Sequence, residues 1–316
     1  MNFIGNRYEL LNCEGHIELN KIYKARDAYD NKKVLIKIIE ENHNICTNFI
    51  SNLIDESTML HQVNSPYILK MIDVGIHCTE LTTLYYMVSE DCEGIALEDV
   101  ISGNYLHLEA IVNIATQIVK ALEILDSYNM YHGDLNPSNI IVDEWHNIKI
   151  CNVGITKANH GINIRSYGQI KYLSPHQLCI NYTDLESDFF TLGLILFEAI
   201  FKKLPFSQCK NEEQMLKNID KGVIWNELKA INGNYKLINI IKKLLNRTEK
   251  YTNTQDIIID LSLVMYEKAD IKNNINIENE IEIEITKTKK VKVRKSKKVL
   301  AVAMISLVFF MLLSMI

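Results

Sequence analysis

The hydrophobic pattern of this 316-residue chain changes its period near residue 90, and that change constrains the fold more than any other feature. Before it, apolar residues alternate as in β-strands, notably over residues 23–27 and 33–39, which a short turn joins. After it, apolar residues recur at helical spacing over residues 109–126 and 184–201. The sequence therefore predicts a small strand-rich lobe, a larger helical lobe and a cleft between them.

The strand-rich part also contains one predicted helix. Residues 48–62 carry apolar side chains at helical spacing, and residues 67–74 and 82–89 are predicted to be further strands. The fold class expected from this order of elements is α+β, with the helix lying beside an antiparallel sheet.

The strongest functional signal is an eight-residue segment that reads His132-Gly133-Asp134-Leu135-Asn136-Pro137-Ser138-Asn139. It resembles the H-R-D-L-K-P-x-N catalytic loop of protein kinases, and its His, Asp, Leu, Pro and last Asn all match. The resemblance implies that Asp134 orients the substrate hydroxyl and can accept its proton. It also implies that Asn139 supplies an oxygen to Mg²⁺.

A second motif lies on the strand predicted over residues 33–39. The run Val34-Leu35-Ile36-Lys37 is similar to the V-A-I-K strand of the same family. The resemblance implies that Lys37 binds ATP phosphates and pairs with Glu56 on the following helix. It assigns further nucleotide-binding positions to Gly15, Ile22, Leu35, Glu90, Cys92 and Ile141.

The resemblance extends over residues 8–266 and is closest to bacterial serine/threonine kinases of the eukaryotic-like type. It implies a two-lobed kinase-like domain over residues 1–267, with an N-lobe up to about residue 90 and a C-lobe from about residue 95. The expected ligands are ATP, Mg²⁺ and a protein substrate or partner. Asp188, in a run of D-x-x-x-L-G type, is expected to brace the backbone of the catalytic loop.

Several positions depart from the family pattern where phosphate and metal are handled. Asn152, in Asn-Val-Gly, replaces the magnesium-binding Asp, so an amide replaces the anionic oxygen that a hard cation prefers. In the glycine-rich loop only Gly15 and the apolar Ile22 match, and Ile17 and Asn20 should hold the loop away from phosphate. Leu35 replaces an Ala and should crowd the adenine.

Two pairs of residues that contact each other in the family are also substituted in this chain. Asn136 replaces the catalytic-loop Lys, and Gln169 replaces the activation-segment Thr that contacts it in many kinases. His176 replaces the Glu of A-P-E, and Lys250 aligns best with the Arg that this Glu pairs with. The departures together favour weak or absent phosphotransfer and a binding or regulatory role. The alternative is an active ATP-dependent kinase, which Lys37 and the catalytic-loop residues favour.

Composition excludes other classes of function. The net charge of −5 does not suggest a specific nucleic-acid binder. The seven cysteines and nine histidines show no spacing typical of a zinc site, so no transition-metal site is predicted.

The C-terminal end carries a separate signal. Residues 299–316 are 18 uncharged, mostly apolar positions, which as a helix span about 27 Å and predict a single-pass membrane anchor; a buried core helix is the alternative. Residues 268–298 form a charged linker whose last part, 287–298, is basic. Basic residues beside a span stay in the cytoplasm and bind anionic lipid, so the kinase-like domain is expected to be cytoplasmic.

Overall fold

A six-stranded antiparallel sheet forms most of the smaller lobe in this computed structural model, which describes residues 3–11, 22–103, 106–164, 169–206, 209, 211–225 and 235–266. The strands lie in the order β1-β2-β3-β4-β6-β5. Their bounds are β1 Phe3–Ile4, β2 Tyr8–Leu10, β3 Ile22–Asp27, β4 Lys33–Glu40, β5 Met71–Cys78 and β6 Thr83–Glu90. Helix α1, Phe49–Leu60, packs against β5.

Strand β4 is buried on both faces, and its alternation places the functional lysine. Ile36 and Ile38 pack with the apolar cluster on one face of the sheet. Ile39 belongs to the large cluster on the other face, which also contains residues of α1. Since successive side chains point to opposite faces, Lys37 shares the α1 face with Leu35 and Ile39.

The predicted strands and helices of this lobe are confirmed to within two residues, except one. The strand predicted over residues 67–74 was wrong by four positions, because β5 begins at Met71. Residues 67–69 instead bond to the other lobe: the Ile150 N–H donates to the Tyr67 carbonyl over 2.8 Å, and the Leu69 N–H donates to the Ile150 carbonyl over 2.9 Å. The apolar run over residues 67–74 therefore makes two separate sets of backbone hydrogen bonds. Its hydrophobic periodicity does not show where one set ends and the other begins.

Helices dominate the larger lobe. A small sheet, β7-β8-β9, lies at its start, with bounds Ile95–Ala96, Ile140–Val142 and Ile148–Ile150. The helices are α2 Leu97–Ser102, α3 Leu108–Ser127, α4 Ile155–Ala158, α5 Pro175–Ile180, α6 Leu185–Phe201, α7 Glu212–Lys221, α8 Tyr235–Leu244 and α9 over residues 254–266. Short 3₁₀ turns cover Pro137–Asn139 and Gln169–Tyr172.

Two helices predicted from the sequence, over residues 109–126 and 184–201, are confirmed as α3 and α6. Helix α6 is apolar almost all round and buried, as a helix at the centre of a lobe must be. The expected α+β architecture, with a strand-rich lobe before a helical one, is present.

The contact pattern divides the chain into a unit of residues 1–264 and a unit of residues 265–316. Both lobes belong to the first unit. Within the described ranges, no helix has the length and apolar character needed to span a bilayer. The predicted linker and anchor, residues 268–316, lie outside the described residues.

Candidate active site

The catalytic loop is held by a buried carboxylate from α6. The backbone N–H groups of His132 and Gly133 donate to the two oxygens of Asp188 over 2.7 and 2.9 Å. Burial raises the pKa of Asp188 to about 7, and these two hydrogen bonds oppose that rise. The brace that the resemblance implied for Asp188 is present.

His132 connects the catalytic loop to the strand before Asn152. Its Nδ1 accepts the Asp134 N–H at 3.1 Å, so its Nε2 carries the ring proton and donates to the Cys151 carbonyl at 2.8 Å. Burial lowers the pKa of His132, which keeps the ring neutral as this tautomer requires. The positions of Asp134 and Asn152 are therefore linked through one side chain.

Both oxygens of the Asp134 carboxylate face amide groups of this same chain. Asn139 Nδ2 donates to Oδ2 at 3.0 Å and to the Asp134 carbonyl at 2.8 Å. Asn163, buried in the segment after α4, donates from Nδ2 to the Gly133 carbonyl at 2.7 Å and lies 3.4 Å from Oδ1. Each oxygen of the Asp134 carboxylate therefore has one amide N–H group of this chain beside it.

The two residues assigned to the metal bond to each other. Asn152 Nδ2 donates to Asn139 Oδ1 over 2.8 Å, and both side chains are buried. The oxygen of Asn139 that would face Mg²⁺ is thus satisfied by an N–H group. Mg²⁺ prefers anionic oxygen ligands in octahedral geometry, and a pair of neutral amides bonded in this way fits it poorly.

Lys37 lies deep in the cleft between the lobes. Its burial lowers its pKa, and the nearby Asp134 carboxylate partly opposes that shift. The structure therefore places the predicted phosphate-binding lysine and the predicted catalytic aspartate in the same cleft.

Glu56 does not take the predicted partner. Its Oε1 lies 3.5 Å from Lys157 Nζ on α4, where an ion pair with Lys37 was expected. Its other oxygen, Oε2, is buried and unsatisfied among the described residues. Burial raises the pKa of Glu56, although Lys157 lowers it. The reason for the altered pairing is that α4 packs against α1 and brings a second ammonium group to the carboxylate.

Helix α4 is attached to α1 by side-chain amides. Asn159 is fully buried; its Oδ1 accepts the Cys46 N–H at 2.8 Å, and its Nδ2 donates to the Asn44 carbonyl at 2.8 Å. From α1, Asn52 Nδ2 donates to the Ala158 carbonyl at 2.8 Å. These bonds hold Lys157 beside Glu56.

Gly133 makes room for α4 beside the catalytic loop. It stands at the Arg position of H-R-D and has a φ of +76°, where a side chain is strained. A Cβ there would lie 2.7 Å from the Cβ of Thr156, so the catalytic loop lies closer to the Thr156 side chain than a larger residue at position 133 permits.

The predicted adenine-binding residues gather in one apolar cluster. Leu35, Leu69 and Cys151 are buried together, and the predicted residues Ile22, Cys92 and Ile141 pack against them. The cluster brings side chains from both lobes together at the predicted adenine site. Burial raises the pKa of the Cys151 thiol well above its ordinary value and that of Cys92 to about 11, so both sulfurs stay protonated.

Of the other predicted nucleotide residues, Glu90 lies apart from this cluster. Glu90 ends β6, and its Oε1 accepts from the Lys70 N–H at 3.2 Å and pairs with Lys149 at 3.3 Å. Gly15 lies outside the described residues, as do Ile17 and Asn20.

The described residues of the substituted pairs bond to partners other than each other. Asn136 Oδ1 accepts the Ser138 N–H at 3.0 Å and caps the 3₁₀ turn, while its Nδ2 donates to the Asp134 carbonyl at 2.9 Å. His176 pairs with Asp184 at 2.9 Å, and Lys250 pairs with Glu186. The side chain of Gln169 lies outside the described residues.

Sequence reasoning missed Lys157, Asn159 and Asn163. None belongs to a motif, and each acts on a residue far away in the chain. The only sequence signal was indirect: all three are polar residues between Asn152 and His176, where a loop is the ordinary interpretation.

Comparison with known proteins agrees with the geometry. Residues 14–260 match the protein kinase domain family. The chain is 30% identical over 270 residues to a probable serine/threonine-protein kinase of Clostridium perfringens, covering 83% of this chain and 38% of that protein. It is 31% identical over 208 residues to the serine/threonine-protein kinase PrkC of Bacillus subtilis, covering 64% and 32%. The chain thus spans about a third of the length of these curated relatives.

Proposed function

This chain belongs to the protein kinase family, and we propose that it is a membrane-anchored serine/threonine kinase homologue with weak or absent phosphotransfer. In this proposal it acts as a nucleotide-binding or regulatory module. Residues 1–267 form the kinase-like domain, 268–298 a linker and 299–316 the anchor.

One observation carries the proposal: the hydrogen bond of 2.8 Å from Asn152 Nδ2 to Asn139 Oδ1. The N–H group takes the oxygen that a metal would use and brings no negative charge of its own. Phosphoryl transfer depends on cations that neutralise developing charge, so weak metal binding lowers the rate directly. The loss of one such stabilising group is worth roughly 10²–10³ in rate.

The other departures act in the same direction. Glu56 is paired with Lys157, Leu35 is buried in an apolar cluster at the predicted adenine site, and Asn163 lies beside the Asp134 carboxylate. Each affects a separate part of nucleotide or substrate placement, and misplacement lowers the rate even where every reactive group is present.

The alternative is an active ATP-dependent kinase. Its specific support is that Lys37 and Asp134 lie close enough to interact in one cleft, beside Asn139. In an active enzyme, Asp134 would orient and deprotonate the substrate hydroxyl, and Lys37 would hold the phosphates.

A phosphotransfer assay separates the two functions. Full-length protein in membranes should transfer phosphate from ATP far below an ordinary kinase rate of roughly 1–100 per second. Asp134→Ala should then change little. If the wild-type chain turns over at that ordinary rate and Asp134→Ala abolishes it, the active-kinase alternative replaces our proposal.

Membrane attachment is tested separately. The apolar character of residues 299–316 and the basic residues 287–298 before them support an anchor with the kinase-like domain in the cytoplasm, on anionic lipid. The full chain should fractionate with membranes and require detergent for release. A full chain that stays in the supernatant after ultracentrifugation without detergent contradicts the anchor.

A further inference from the structure

A group of three metal-ligating side chains lies at the junction of α5 and α6, away from the nucleotide cleft. It consists of His176 on α5, Asp184 at the N-cap of α6 and Glu186 in the first turn of α6. One ligand atom from each lies within 4.8 Å of the other two. The spacing of these residues along the chain matches no metal motif, so only the fold reveals the group.

The chemistry of the group is that of a borderline transition metal. An imidazole nitrogen and two carboxylate oxygens are ligands that Zn²⁺ uses, whereas Mg²⁺ seldom binds imidazole. Zinc ligands lie about 2.0–2.2 Å from the ion, which puts neighbouring ligand atoms roughly 3.3 Å apart. His176 Nδ1 and Asp184 Oδ2 are already 2.9 Å apart, so Glu186 has the largest movement to make.

The carboxylate of Asp184 is held by a second set of bonds. Its Oδ1 accepts the Ser187 N–H at 2.8 Å and the Ser187 hydroxyl at 2.8 Å, which leaves Oδ2 turned toward His176. Partners of this kind fix the orientation of a metal ligand and raise affinity.

Solvent and space are available at the group. The side chain of His176 is 47% exposed, which gives an ion a direct path from water. A cavity of about 110 Å³ adjoins it, lined in part by His176, Glu186, Phe190 and Tyr251. That volume holds the water molecule that a three-ligand zinc site needs as its fourth ligand.

Lys250 is the group that competes with a cation. Its ammonium pairs with Glu186 Oε2, which leaves the other oxygen of that carboxylate able to turn to a metal while Lys250 stays. Arg247, at the same cavity, is already neutralised by Asp220. The carboxylates of Asp184 and Glu186 and the ammonium group of Lys250 together carry a net charge of −1, which attracts an incoming cation.

We propose that His176, Asp184 and Glu186 form a Zn²⁺ site that joins the end of the activation segment to α6. His176 and Lys250 stand where the family pattern has a Glu–Arg pair, yet each bonds elsewhere in this chain. The metal binds α5 and α6 at one point and strengthens the connection that the His176–Asp184 pair already makes. This site does not rest on the weak phosphotransfer proposed above.

Zinc titration of the full chain in detergent, cleared of metal and in competition with a chromogenic chelator, tests the site. The wild-type chain should bind one more Zn²⁺ ion than His176→Ala. Asp184→Asn, which keeps the helix cap, should lower the affinity for that ion at least about tenfold. The exposed residue His43 provides the control, since His43→Ala should bind as the wild type does. A Co²⁺-loaded chain should lose absorption in His176→Ala but show no thiolate charge-transfer band for that ion.

A substitution of Lys250, whose ammonium group competes with the metal, should change zinc affinity in the opposite direction. Lys250→Met should tighten zinc binding several-fold, because a positive charge leaves the site. A hundredfold excess of Mg²⁺ should not displace the zinc. Equal zinc stoichiometry and affinity in the wild-type, His176→Ala and Lys250→Met chains would overturn the proposal, since any zinc then sits elsewhere, for example on the cysteines.

Discussion

The catalytic loop, residues 132–139, and the segment after β9, residues 152–163, are neighbours in the cleft, but they differ in how far they keep the contacts expected of the family. The loop keeps its shape: Asp188 holds its backbone, and His132 holds it to Cys151. The segment from Asn152 to Asn163 uses its polar side chains to bond inward, to Asn139, to Glu56 and to the Gly133 carbonyl. The contrast teaches that a kinase scaffold can stay intact while the groups predicted to handle phosphate and metal bond to the protein itself.

The largest effect expected from this contrast concerns the scaffold. Asp188→Ala leaves the buried N–H groups of His132 and Gly133 without an acceptor. Each such group is worth roughly 1–3 kcal/mol, so the free energy of unfolding should fall by about 2–6 kcal/mol. Urea denaturation measures it, with the exposed Asp126→Ala as a control that should change by less than about 0.5 kcal/mol. Equal effects of the two substitutions would show that the brace is unimportant.

The next effect concerns the attachment of the segment to the loop that leads into α1. Asn159→Ala removes the bonds to Cys46 and Asn44 in a buried place, which should lower the free energy of unfolding by about 1–3 kcal/mol. Amide hydrogen exchange in α1 should also become faster. Asn48→Ala is the control, since Asn48 is exposed and its side chain makes no capping bond. Unchanged exchange in α1 would contradict the proposed attachment.

Substitution of Lys37 should show that burial in the cleft disfavours the charged form of its ammonium group. Burial lowers its pKa, so Lys37→Met should leave the free energy of unfolding unchanged or raise it by about 1 kcal/mol at neutral pH. A lysine with a lowered folded pKa makes wild-type stability rise as pH climbs from that pKa toward 10.5, so the gain should shrink there. The exposed Lys33→Met is the control. A clear loss of stability in Lys37→Met at neutral pH would contradict this description of the cleft.

The smallest effect concerns the competition for Glu56. Lys157→Ala removes a partly buried ion pair and should change the free energy of unfolding by less than about 1 kcal/mol. It frees Glu56 for Lys37, so nucleotide affinity should rise a few-fold. In a Glu56→Gln background the same substitution should bring no gain, which a double-mutant cycle measures. A gain that persists without the Glu56 carboxylate would assign the effect to another contact.

The sequence was sufficient for the parts of the molecule that local pattern or a motif decides. The period change near residue 90 predicted the lobes, α3 and α6, and the D-x-x-x-L-G run predicted the Asp188 brace. The predicted strand over residues 67–74 was wrong, because one apolar run serves two pairings. The matches to family motifs predicted that Lys37, Asp134 and Asn139 lie together in one cleft.

The rest of the site depends on contacts that no local pattern encodes. Asn152 and Asn139 were both assigned to a metal, but whether an amide presents its oxygen or its N–H is decided by the groups around it. The partner of Glu56 was missed because the charge on Lys157 reaches α1 only after α4 has packed there. The same holds for Asn163, 29 residues from Asp134.

The magnesium dependence of nucleotide binding tests the central claim most directly. Asn152 has a φ of +64°, which Asn and Asp tolerate, so Asn152→Asp should fold as the wild-type chain does. Adding Mg²⁺ should change the nucleotide affinity of the wild-type chain by less than about threefold and that of Asn152→Asp by about tenfold or more, because only the carboxylate brings charge to the metal. If the wild-type chain already requires Mg²⁺ to bind nucleotide, and Asn152→Asp adds nothing, the amide pair does not replace the metal and the account is wrong.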